Sequence, residues 1–474
     1  MLTVKTLLGA GWSVSTRLAN RLIDFVTLLI LARALSPADF GLTALAMTVI
    51  AVVETVFEIA LIQALTRLPH VDKSHLDTAF TLGLLRGLVF AVVVLVAAWP
   101  FASVYKDDRL VLLIAVLAIG PIARGLVSPG IVKFIRQLSF REIFVTQVLA
   151  KIIAAVLAFT ILYLGGGYWA IAANSIATAV AATVFSYMVA PYRPAFSLSH
   201  LPEFLGFIGW FSFAQLISAL NWQFDRILLG NFVSKSDFGR YTMAADLAAL
   251  PTQSLIGPAM QPVMAAFAKI ADDADRLRNA FLKASRFTMM LAMPACIFMA
   301  LTADYLIEIL LDAEWKESAA YLQWLALTVL LNAYFQPLYS LALAVNQPRA
   351  IFRLNAIDLL FRLILVPLGL YYYSVWGVIA ARGVVSVIMF VASAIYARNL
   401  VGISVSTQLR NLWESAAACV AMALSVLLLR HHLDSLHLNT LVEFACVVPA
   451  SAVVYAGALF AFGVRFTTLI SAQR

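Results

Sequence analysis

Long apolar runs constrain the fold of this chain more than any other feature. Each run has roughly 18 to 25 residues, enough at about 1.5 Å per residue to cross a hydrocarbon core about 30 Å thick. Hydrophobic residues make up 63% of the chain and charged residues only 12%, whereas a soluble domain is about a quarter charged. Because backbone groups in lipid must be satisfied within the segment, the runs predict transmembrane α-helices.

Two other interpretations of the apolar runs are excluded by their pattern. A membrane β-barrel would alternate polar and apolar residues, and segment 90–98 (FAVVVLVAA) does not. The N-terminus lacks the pattern of a cleaved signal peptide, and its first run carries Arg17, Arg21 and Asp24. We therefore predict an all-α polytopic membrane protein that keeps its first span.

Breaks at glycine, proline and charge clusters divide the chain into about fourteen spans. We place the spans at 11–34, 40–66, 78–104, 110–132, 142–164, 168–190, 204–232, 238–268, 281–311, 318–345, 350–373, 375–397, 409–429 and 439–463. The sixth span is separated from the fifth only by Gly165-Gly166-Gly167. The eighth contains Pro251, Pro258 and Pro262, which predict a kink or a break there.

Lys and Arg residues are distributed unevenly between the two sides of this topology. One side holds Lys5, Arg67, Lys73, Lys133, Arg136, Arg141, Arg193, Lys269, Arg276, Arg278, Lys283, Arg286, Arg349, Arg353, Arg398, Arg410, Arg465 and Arg474. The other holds only Arg33, Lys106, Arg109, Lys235, Arg240, Lys316 and Arg430. Since positive loops stay in the cytoplasm, both termini are predicted to be cytoplasmic and the span count even. The pI of about 9.4 reflects this topology, and no nucleic-acid partner is expected.

Cysteine and histidine usage indicates no metal site, disulfide framework or cofactor. The three cysteines lie in apolar runs, where a thiol behaves as a small hydrophobe; they are Cys296, Cys419 and Cys446. The histidine cluster His431, His432 and His437 has no cysteine partners, and we interpret it as a polar loop.

The chain contains an internal repeat with an offset of 198 residues. Residues 11–41 match 209–239 without a gap, and the polar Ser-x-x-Asp-Phe-Gly motif recurs at 36–41 and 234–239. A later echo places Trp169 of the sixth span against Trp376 of the twelfth. Repeats six spans apart have the same orientation in the membrane, so the halves are predicted to be related by an axis along the membrane normal, as in transporters.

Several motifs, in this order along the chain, resemble a known family. They are residues 31–41 (LARALSPADFG), 225–230 (DRILLG), 237–241 (DFGRY), the segment around Pro262 and 344–349 (AVNQPR). Together they resemble Wzx-like polysaccharide flippases of the multidrug/oligosaccharidyl-lipid/polysaccharide exporter superfamily.

The resemblance implies two pseudo-symmetric six-helix bundles around a central cavity, at 1–197 and 198–400, plus two extra helices in 401–474. It also implies a polyprenyl-pyrophosphate-linked oligosaccharide as substrate, in the bacterial inner membrane. Contact with a polysaccharide polymerase or glycosyltransferases is a further expectation. No motif specifies the glycan.

Charged residues inside the spans are the candidate functional residues, because a charge at the bilayer centre costs at least about 2.5–3.5 kcal/mol. An arginine excess in a cavity suits a pyrophosphate, which guanidinium groups bind bidentately. The pyrophosphate candidates are Arg17, Arg21, Arg86, Arg124, Lys151, Arg226 and Arg382. The acidic or coupling candidates are Asp24, Glu54, Glu58, Asp225, Asp246 and Asp358.

Structural interpretations of these charges stay open from the sequence. Acids and arginines of the first two spans could neutralise each other, and Asp358 with Arg362 has the spacing of a local ion pair. Sugar-contact candidates are Asn20, Trp210, Asn221, Trp222 and Gln223, although aromatic residues near span ends are more often interface anchors.

Other functions fit the sequence less well. A cation-coupled small-molecule exporter of the same superfamily would use the intramembrane acids as its primary site. A membrane glycosyltransferase or polymerase would need a larger loop than the dozen or so residues available, and no nucleotide-binding glycine-rich loop is present. A scaffold protein would leave eight intramembrane basic residues unexplained.

The charge asymmetry predicts which loops face the outside of the cell. Single cysteines at Ser74 and Ser199 should be shielded from a membrane-impermeant thiol reagent added to intact cells, whereas one at Ser236 should react, because only the last lies on the predicted periplasmic side. Mass-shift labelling measures this. Reversed labelling would contradict the topology.

Overall fold

A computed structural model describes residues 2–57, 61–67, 70–137, 139–202, 220–436 and 438–464, and every element assigned there is helical. Backbone contacts divide the chain into two compact units, Met1–Gly239 and Arg240–Arg474. The helices of the first unit are α1 (Leu2–Ala34), α2 (Pro37–Val56), α3 (Leu61–Arg67), α4 (Lys73–Tyr105), α5 (Arg109–Leu117), α6 (Ile119–Gly125), α7 (Val132–Arg136), α8 (Arg141–Tyr163), α9 (Trp169–Val189) and the described part of α10, 220–232.

The second unit begins within α11 (Lys235–Pro251). It continues with α12 (Gly257–Lys269), α13 (Ala274–Leu301), α14 (Ala303–Leu310), α15 (Ser318–Ala333), α16 (Phe335–Ala344), α17 (Pro348–Val401), α18 (Val405–Arg410), α19 (Trp413–Asp434) and α20 (Thr440–Ala461). Short 3₁₀ turns lie at Pro129–Ile131 and Ala313–Trp315.

Within the described ranges, nine helices are long and apolar enough to cross a membrane, and a pair bent by 49°, Arg109–Gly125 with Pro129–Arg136, would make a tenth. This confirms the all-α polytopic class. The count of fourteen stays a prediction, because residues 204–219 of the seventh span lie outside the described ranges. The 54-residue α17 would be about 80 Å long if straight, more than twice the hydrocarbon thickness.

Helix α17 is in fact two arms joined at a sharp break. Tyr373 and Ser374 leave the helical region, and Ser374 has φ 51° and ψ −135°. The predicted boundary between spans eleven and twelve, at residue 374, is therefore confirmed. The glycine boundary between spans five and six is confirmed as well: Gly165 and Gly167 have φ 80° and 53°, and a turn separates α8 from α9.

Prolines explain where the structure divides spans that were predicted as single helices. The fourth span is broken after Leu117, and the tenth after Ala333, each four residues before a proline (Pro121 and Pro337). A proline ring collides with the carbonyl four residues earlier and removes one hydrogen bond. The eighth span is interrupted as predicted, by a π-helical segment, Thr252–Ile256, directly after Pro251.

Packing in the first unit relies on close helix crossings. Helices α8 and α9 form a hairpin, α1 packs on α8, and α4 packs on α5 and α6. At the α4–α6 crossing, a Cβ added to Gly83 would lie 2.5 Å from the carbonyl oxygen of Gly125, and one added to Gly125 would lie 2.4 Å from that of Gly83. Only glycines permit this approach, which is how membrane helices gain packing contact.

The repeated Ser-x-x-Asp-Phe-Gly motif builds a second close crossing, between the first turns of α2 and α11. A Cβ on Gly41 would lie 2.1 Å from the carbonyl oxygen of Lys235, and a Cβ on Gly239 would lie 1.9 Å from that of Pro37. Gly41 and Gly239, like Pro37 and Lys235, are 198 residues apart, so the contact is symmetric. We call these four residues the glycine clasp.

The other motif residues cap and anchor the two helices of the clasp. The hydroxyl of Ser36 accepts from the backbone N–H of Asp39 (3.1 Å), and that of Ser234 accepts from Asp237 (3.0 Å). These are N-caps, each worth about 1 kcal/mol. Phe40 and Phe238 are buried. The motif thus recurs because both repeats need the same helix start.

A buried carboxylate links the clasp to the loop after α4. Asp107 accepts from the guanidinium of Arg109, with Nη2 2.8 Å from Oδ2, and from Lys235. Hydrogen bonds from Arg109, followed by those from Lys235, hold the pKa of Asp107 below its ordinary range. Lys235 is therefore fixed by its backbone in the clasp and by its ammonium group on Asp107.

In the second unit, the last two long helices are integrated into the packing. Helix α19 pairs with α20 and packs on α13, and Arg286 forms an ion pair with Glu414 at 2.8 Å. Tyr305 donates to Glu443 at 2.7 Å. His431 and His432, predicted to lie in a loop, occupy the last turn of α19, and His437 lies outside the described residues.

The clasp predicts a large effect from a very small substitution. Gly239→Ala should lower the melting temperature of the detergent-solubilised protein by several degrees, because the new methyl group would collide with the Pro37 carbonyl; overpacking costs about 1–3 kcal/mol. Gly383→Ala is the matched control: its Cβ meets nothing within 4 Å, so stability should stay equal or rise. Equal melting temperatures for Gly239→Ala and the parent would refute the clasp.

Candidate functional site

Glu54 is the centre of a three-residue charge cluster in the first unit. Arg124 of α6 binds it with two parallel hydrogen bonds, Nε to Oε1 at 2.8 Å and Nη2 to Oε2 at 2.7 Å. Arg86 of α4 adds a second guanidinium, 3.8 Å from Oε1. One carboxylate thus serves two arginines.

The α4–α6 glycine crossing positions these arginines. Gly83 lies three residues before Arg86 on α4, and Gly125 directly follows Arg124 on α6. Because the two backbones touch at the glycines, both guanidinium groups reach the same carboxylate on α2. A Cβ on Gly87 would lie 3.2 Å from Cα of Ile122, so the close approach continues for another turn.

A second polar seam joins α1 to α8. The amide nitrogen of Asn20 donates to Oε1 of Gln147 at 2.8 Å, and one turn further Lys151 forms an ion pair with Asp24. The structure therefore gives Asp24 a partner on α8, and Glu54 partners on α6 and α4. Glu58 lies outside the described residues.

The remaining arginines of α1 are exposed on the surface of the first unit. Arg17 and Arg21 lie one turn apart. Arg21 makes no ion pair or hydrogen bond with any residue in the described ranges. The candidate residues predicted in this unit's first six spans include five basic side chains and two acids that the structure describes, Asp24 and Glu54.

Helix α10 places the polar candidates of the seventh span in different environments. Asn221 and Asp225 are buried, Arg226 is half-buried, and Trp222 is 66% exposed. Oε1 of Gln223 is buried without a hydrogen-bond partner among the described residues. Trp210 lies outside the described ranges, so its predicted sugar contact has no structural counterpart.

The candidates of the second unit have local partners. Arg362 donates from Nε to Asp358 at 3.0 Å, which confirms the predicted i, i+4 ion pair. Arg382 donates to the hydroxyl of the buried Tyr241 at 2.9 Å. Asp246 is half-buried on α11.

Sequence reasoning missed Gln147 and the glycines beside the arginines. Gln147 and Lys151 are four residues apart on α8, so one helical face carries both partners of α1; that spacing was the available indication. The spacing of Gly83 and Arg86, or of Arg124 and Gly125, gives no indication that their helices cross.

Solved structures establish the fold. The lipid II flippase MurJ, in an inward closed conformation, matches with a TM-score of 0.75 over 96% of this chain and 98% of MurJ, at 13% identity. A multidrug resistance MATE family transporter of the MOP superfamily, in an inward-facing conformation, matches with a TM-score of 0.65 over 81% of this chain and 95% of that protein, at 15% identity. The class defined by fold and charges is therefore that of polytopic α-helical membrane proteins with the fold of this superfamily.

Within that class, the chain belongs to the polysaccharide biosynthesis protein family, whose pattern matches residues 30–320. The resemblance inferred from the motifs is thereby confirmed.

The succinoglycan biosynthesis transport protein ExoT of Rhizobium meliloti (strain 1021) is 25% identical over 331 residues, 68% of this chain and 65% of ExoT. The lipopolysaccharide biosynthesis protein WzxC of Escherichia coli (strain K12) is 25% identical over 362 residues, 74% of this chain and 72% of WzxC. The chain thus aligns with slightly less than two thirds of ExoT.

The α1–α8 seam can be tested by a double-mutant cycle. Asp24→Asn or Lys151→Met alone should reduce accumulation in the membrane, because each leaves its partner charged and uncompensated in lipid. The double variant should recover most of the loss, since both charges are removed. Immunoblotting of membrane fractions measures this. Additive losses in the double variant would show that the two side chains act independently.

Proposed function

We propose that this protein is a flippase of the bacterial inner membrane that moves a polyprenyl-pyrophosphate-linked oligosaccharide from the cytoplasmic to the periplasmic leaflet. The oligosaccharide would serve exopolysaccharide, capsule or lipopolysaccharide synthesis. Family membership and the names of ExoT and WzxC support a transport role in polysaccharide biosynthesis. The fold shared with MurJ supports a membrane transporter rather than an enzyme.

The observation that carries this proposal is the environment of the arginines in the first unit, above all of Arg21 on α1. Glu54 is shared by Arg86 and Arg124, and Arg21 has no acidic partner in the described part of the chain. A guanidinium kept at this depth needs a compensating anion or water. A pyrophosphate supplies several oxygens that arginine binds bidentately.

The rival cation-coupled exporter needs intramembrane acids that are available to a cation. Asp24 is paired with Lys151, Glu54 with two arginines, and Asp358 with Arg362. A carboxylate that already accepts from a basic side chain has little affinity left for a small cation, because binding would first have to break the ion pair. The environments of these three acids therefore favour an anionic substrate.

The topology assigns a role to the glycine clasp. With both termini in the cytoplasm, the clasp lies at the periplasmic end of α2 and α11. In alternating access, release into the periplasmic leaflet would require these helix starts to separate. The clasp region is held by two close backbone contacts and the Lys235–Asp107 ion pair. These interactions are few enough to break and re-form during transport. Contact with a polymerase or glycosyltransferases at the membrane belongs to the same proposal.

Arg21 provides the sharpest test of the anion site. Arg21→Ala should reduce export by about 10-fold or more while the protein accumulates normally, because a charge-assisted hydrogen bond is worth about 1.5–3 kcal/mol. Arg21→Lys should give an intermediate rate, since an ammonium group offers a point charge without the planar fork. Export is measured as polysaccharide released by cells whose own copy has been deleted.

Arg398→Ala is the matched control, because Arg398 is an exposed arginine in the predicted cytoplasmic region. It should export at the parent rate. Full export by Arg21→Ala at parental protein levels would remove Arg21 from the substrate site. A loss shared equally by Arg398→Ala would attribute the effect to net charge instead.

A further inference from the structure

An apolar groove of about 640 Å³ lies between α8, α9 and the junction of α5 with α6 in the first unit. Every residue that lines it is apolar. Ile153, Leu157 and Ile161, on successive turns of α8, line one side. The α9 side contains four small residues, Ala172, Ala173, Ala177 and Ala181. Short side chains on α9 therefore leave room for a hydrocarbon chain along the helix.

The break in the fourth span supplies the third side of the groove. Val116 lies near the end of α5 and Ile119 begins α6, so the lining continues across the break that precedes Pro121. The sequence gave no indication of this groove, because it depends on the approach of three spans.

Arg109 lies at one end of the groove. It begins α5 seven residues before Val116, so the two side chains leave the same face of that helix to within about 20°. Its guanidinium carbon is 5.8 Å from the ring centroid of Tyr168. That ring is 5.5 Å from the ring of Trp169, which lines the groove. A chain in the groove would therefore end beside a guanidinium group.

The guanidinium of Arg109 has N–H groups available for a phosphate. Nε donates to Oδ1 of Asp107 at 3.0 Å, and Nη2 donates to Oδ2 at 2.8 Å. Nη1 makes no hydrogen bond within the described ranges, and the side chain is 50% exposed. The other nearby carboxylate, Asp39, accepts from the hydroxyl of Ser36 at 3.0 Å. Since a guanidinium has five N–H donors, its outer edge can bind two phosphate oxygens.

The length of the groove indicates which lipid fits it. Its lining on α9 extends from Trp169 to Phe185, which is about 24 Å at 1.5 Å per residue. One leaflet provides only about 15 Å, half of the hydrocarbon core. A chain that starts beside Arg109 and fills the groove therefore passes the middle of the bilayer. A phospholipid has two acyl chains within one leaflet, whereas a polyprenyl lipid has one much longer chain.

We propose that this groove holds the polyprenyl chain of the lipid after it has been flipped, while Arg109 binds its pyrophosphate. The inference rests on the proposed flippase function and on the predicted topology, which places Arg109 at the periplasmic end of α5. Arg109 shares Asp107 with Lys235 of the glycine clasp. The pyrophosphate would therefore lie close to the clasp as the product leaves.

The test uses the full-length protein in lipid nanodiscs and undecaprenyl phosphate that carries a diazirine in its chain. After illumination, mass spectrometry of peptides should find crosslinks on groove residues such as Leu157 and Val180. Excess unlabelled undecaprenyl phosphate should suppress them, and phosphatidylglycerol should not. Ala177→Phe should lose most of the crosslinks, because its ring fills the groove. Arg109→Ala should reduce them by about 10-fold, because a charge-assisted hydrogen bond is lost.

Two matched controls should crosslink like the parent. Ala456→Phe adds the same ring at an exposed position of α20, and Lys316→Ala removes an exposed basic residue on the predicted periplasmic side. If Ala177→Phe does not accumulate, the smaller Ala177→Leu replaces it.

Three results would overturn the proposal. They are absence of groove crosslinks in the parent, unchanged crosslinks in the Ala177 variant, and equal suppression by phosphatidylglycerol, which would assign the groove to bilayer phospholipid. Unchanged crosslinks in Arg109→Ala would remove Arg109 from the site. None of these measurements depends on transport, so a parent that exports polysaccharide without groove crosslinks would refute this site and leave the flippase function standing.

Discussion

The cost of placing a charge in hydrocarbon determines how the first unit is arranged. Two acids of its first two spans have basic partners on other helices: Asp24 has Lys151, and Glu54 has Arg124 and Arg86. These pairs join α1 to α8, and α2 to both α4 and α6. An isolated acid at this depth would cost several kcal/mol, so removing one partner would penalise the fold.

Glycines allow those ion pairs to form, because side chains on neighbouring helices meet only when the backbones come close. Gly83 and Gly125 bring α4 and α6 together beside Arg86 and Arg124. Glycines permit the same close approach in the clasp, where Gly41 and Gly239 each lie against a backbone carbonyl of the other repeat. In lipid no hydrophobic effect drives helices together, so close contact at small residues replaces it. The glycine crossings thus bring the helices close enough for the intramembrane charges to pair.

Local chemistry made some features predictable from the sequence. Three glycines marked the α8–α9 turn, the boundary at 374 fell on the α17 break, and Pro251 preceded the π-helical segment. Long-range partners could not be predicted, because nothing in a single sequence records that Lys151 reaches Asp24 across 127 residues or that His200 stacks on His75. The fourth and tenth spans were expected to be continuous because hydropathy persists across their breaks. Pro121 divides the fourth although the apolar character does not change.

The two repeats have kept their backbone geometry while their side chains have diverged. Gly167 and Ser374 both have a positive φ, 53° and 51°, and each lies two residues before a tryptophan, Trp169 or Trp376. A positive φ is unfavourable for serine but not for glycine, so the second repeat retains the positive φ despite an unfavourable residue. The intramembrane charges differ between the repeats. In the second unit Arg362 pairs with Asp358, whereas in the first unit two arginines share Glu54. A symmetric framework with an asymmetric charge distribution suits a substrate that is itself asymmetric, with an anionic group at one end of a neutral oligosaccharide. The pyrophosphate would then interact with the first repeat, and the clasp, which both repeats build equally, would control its release.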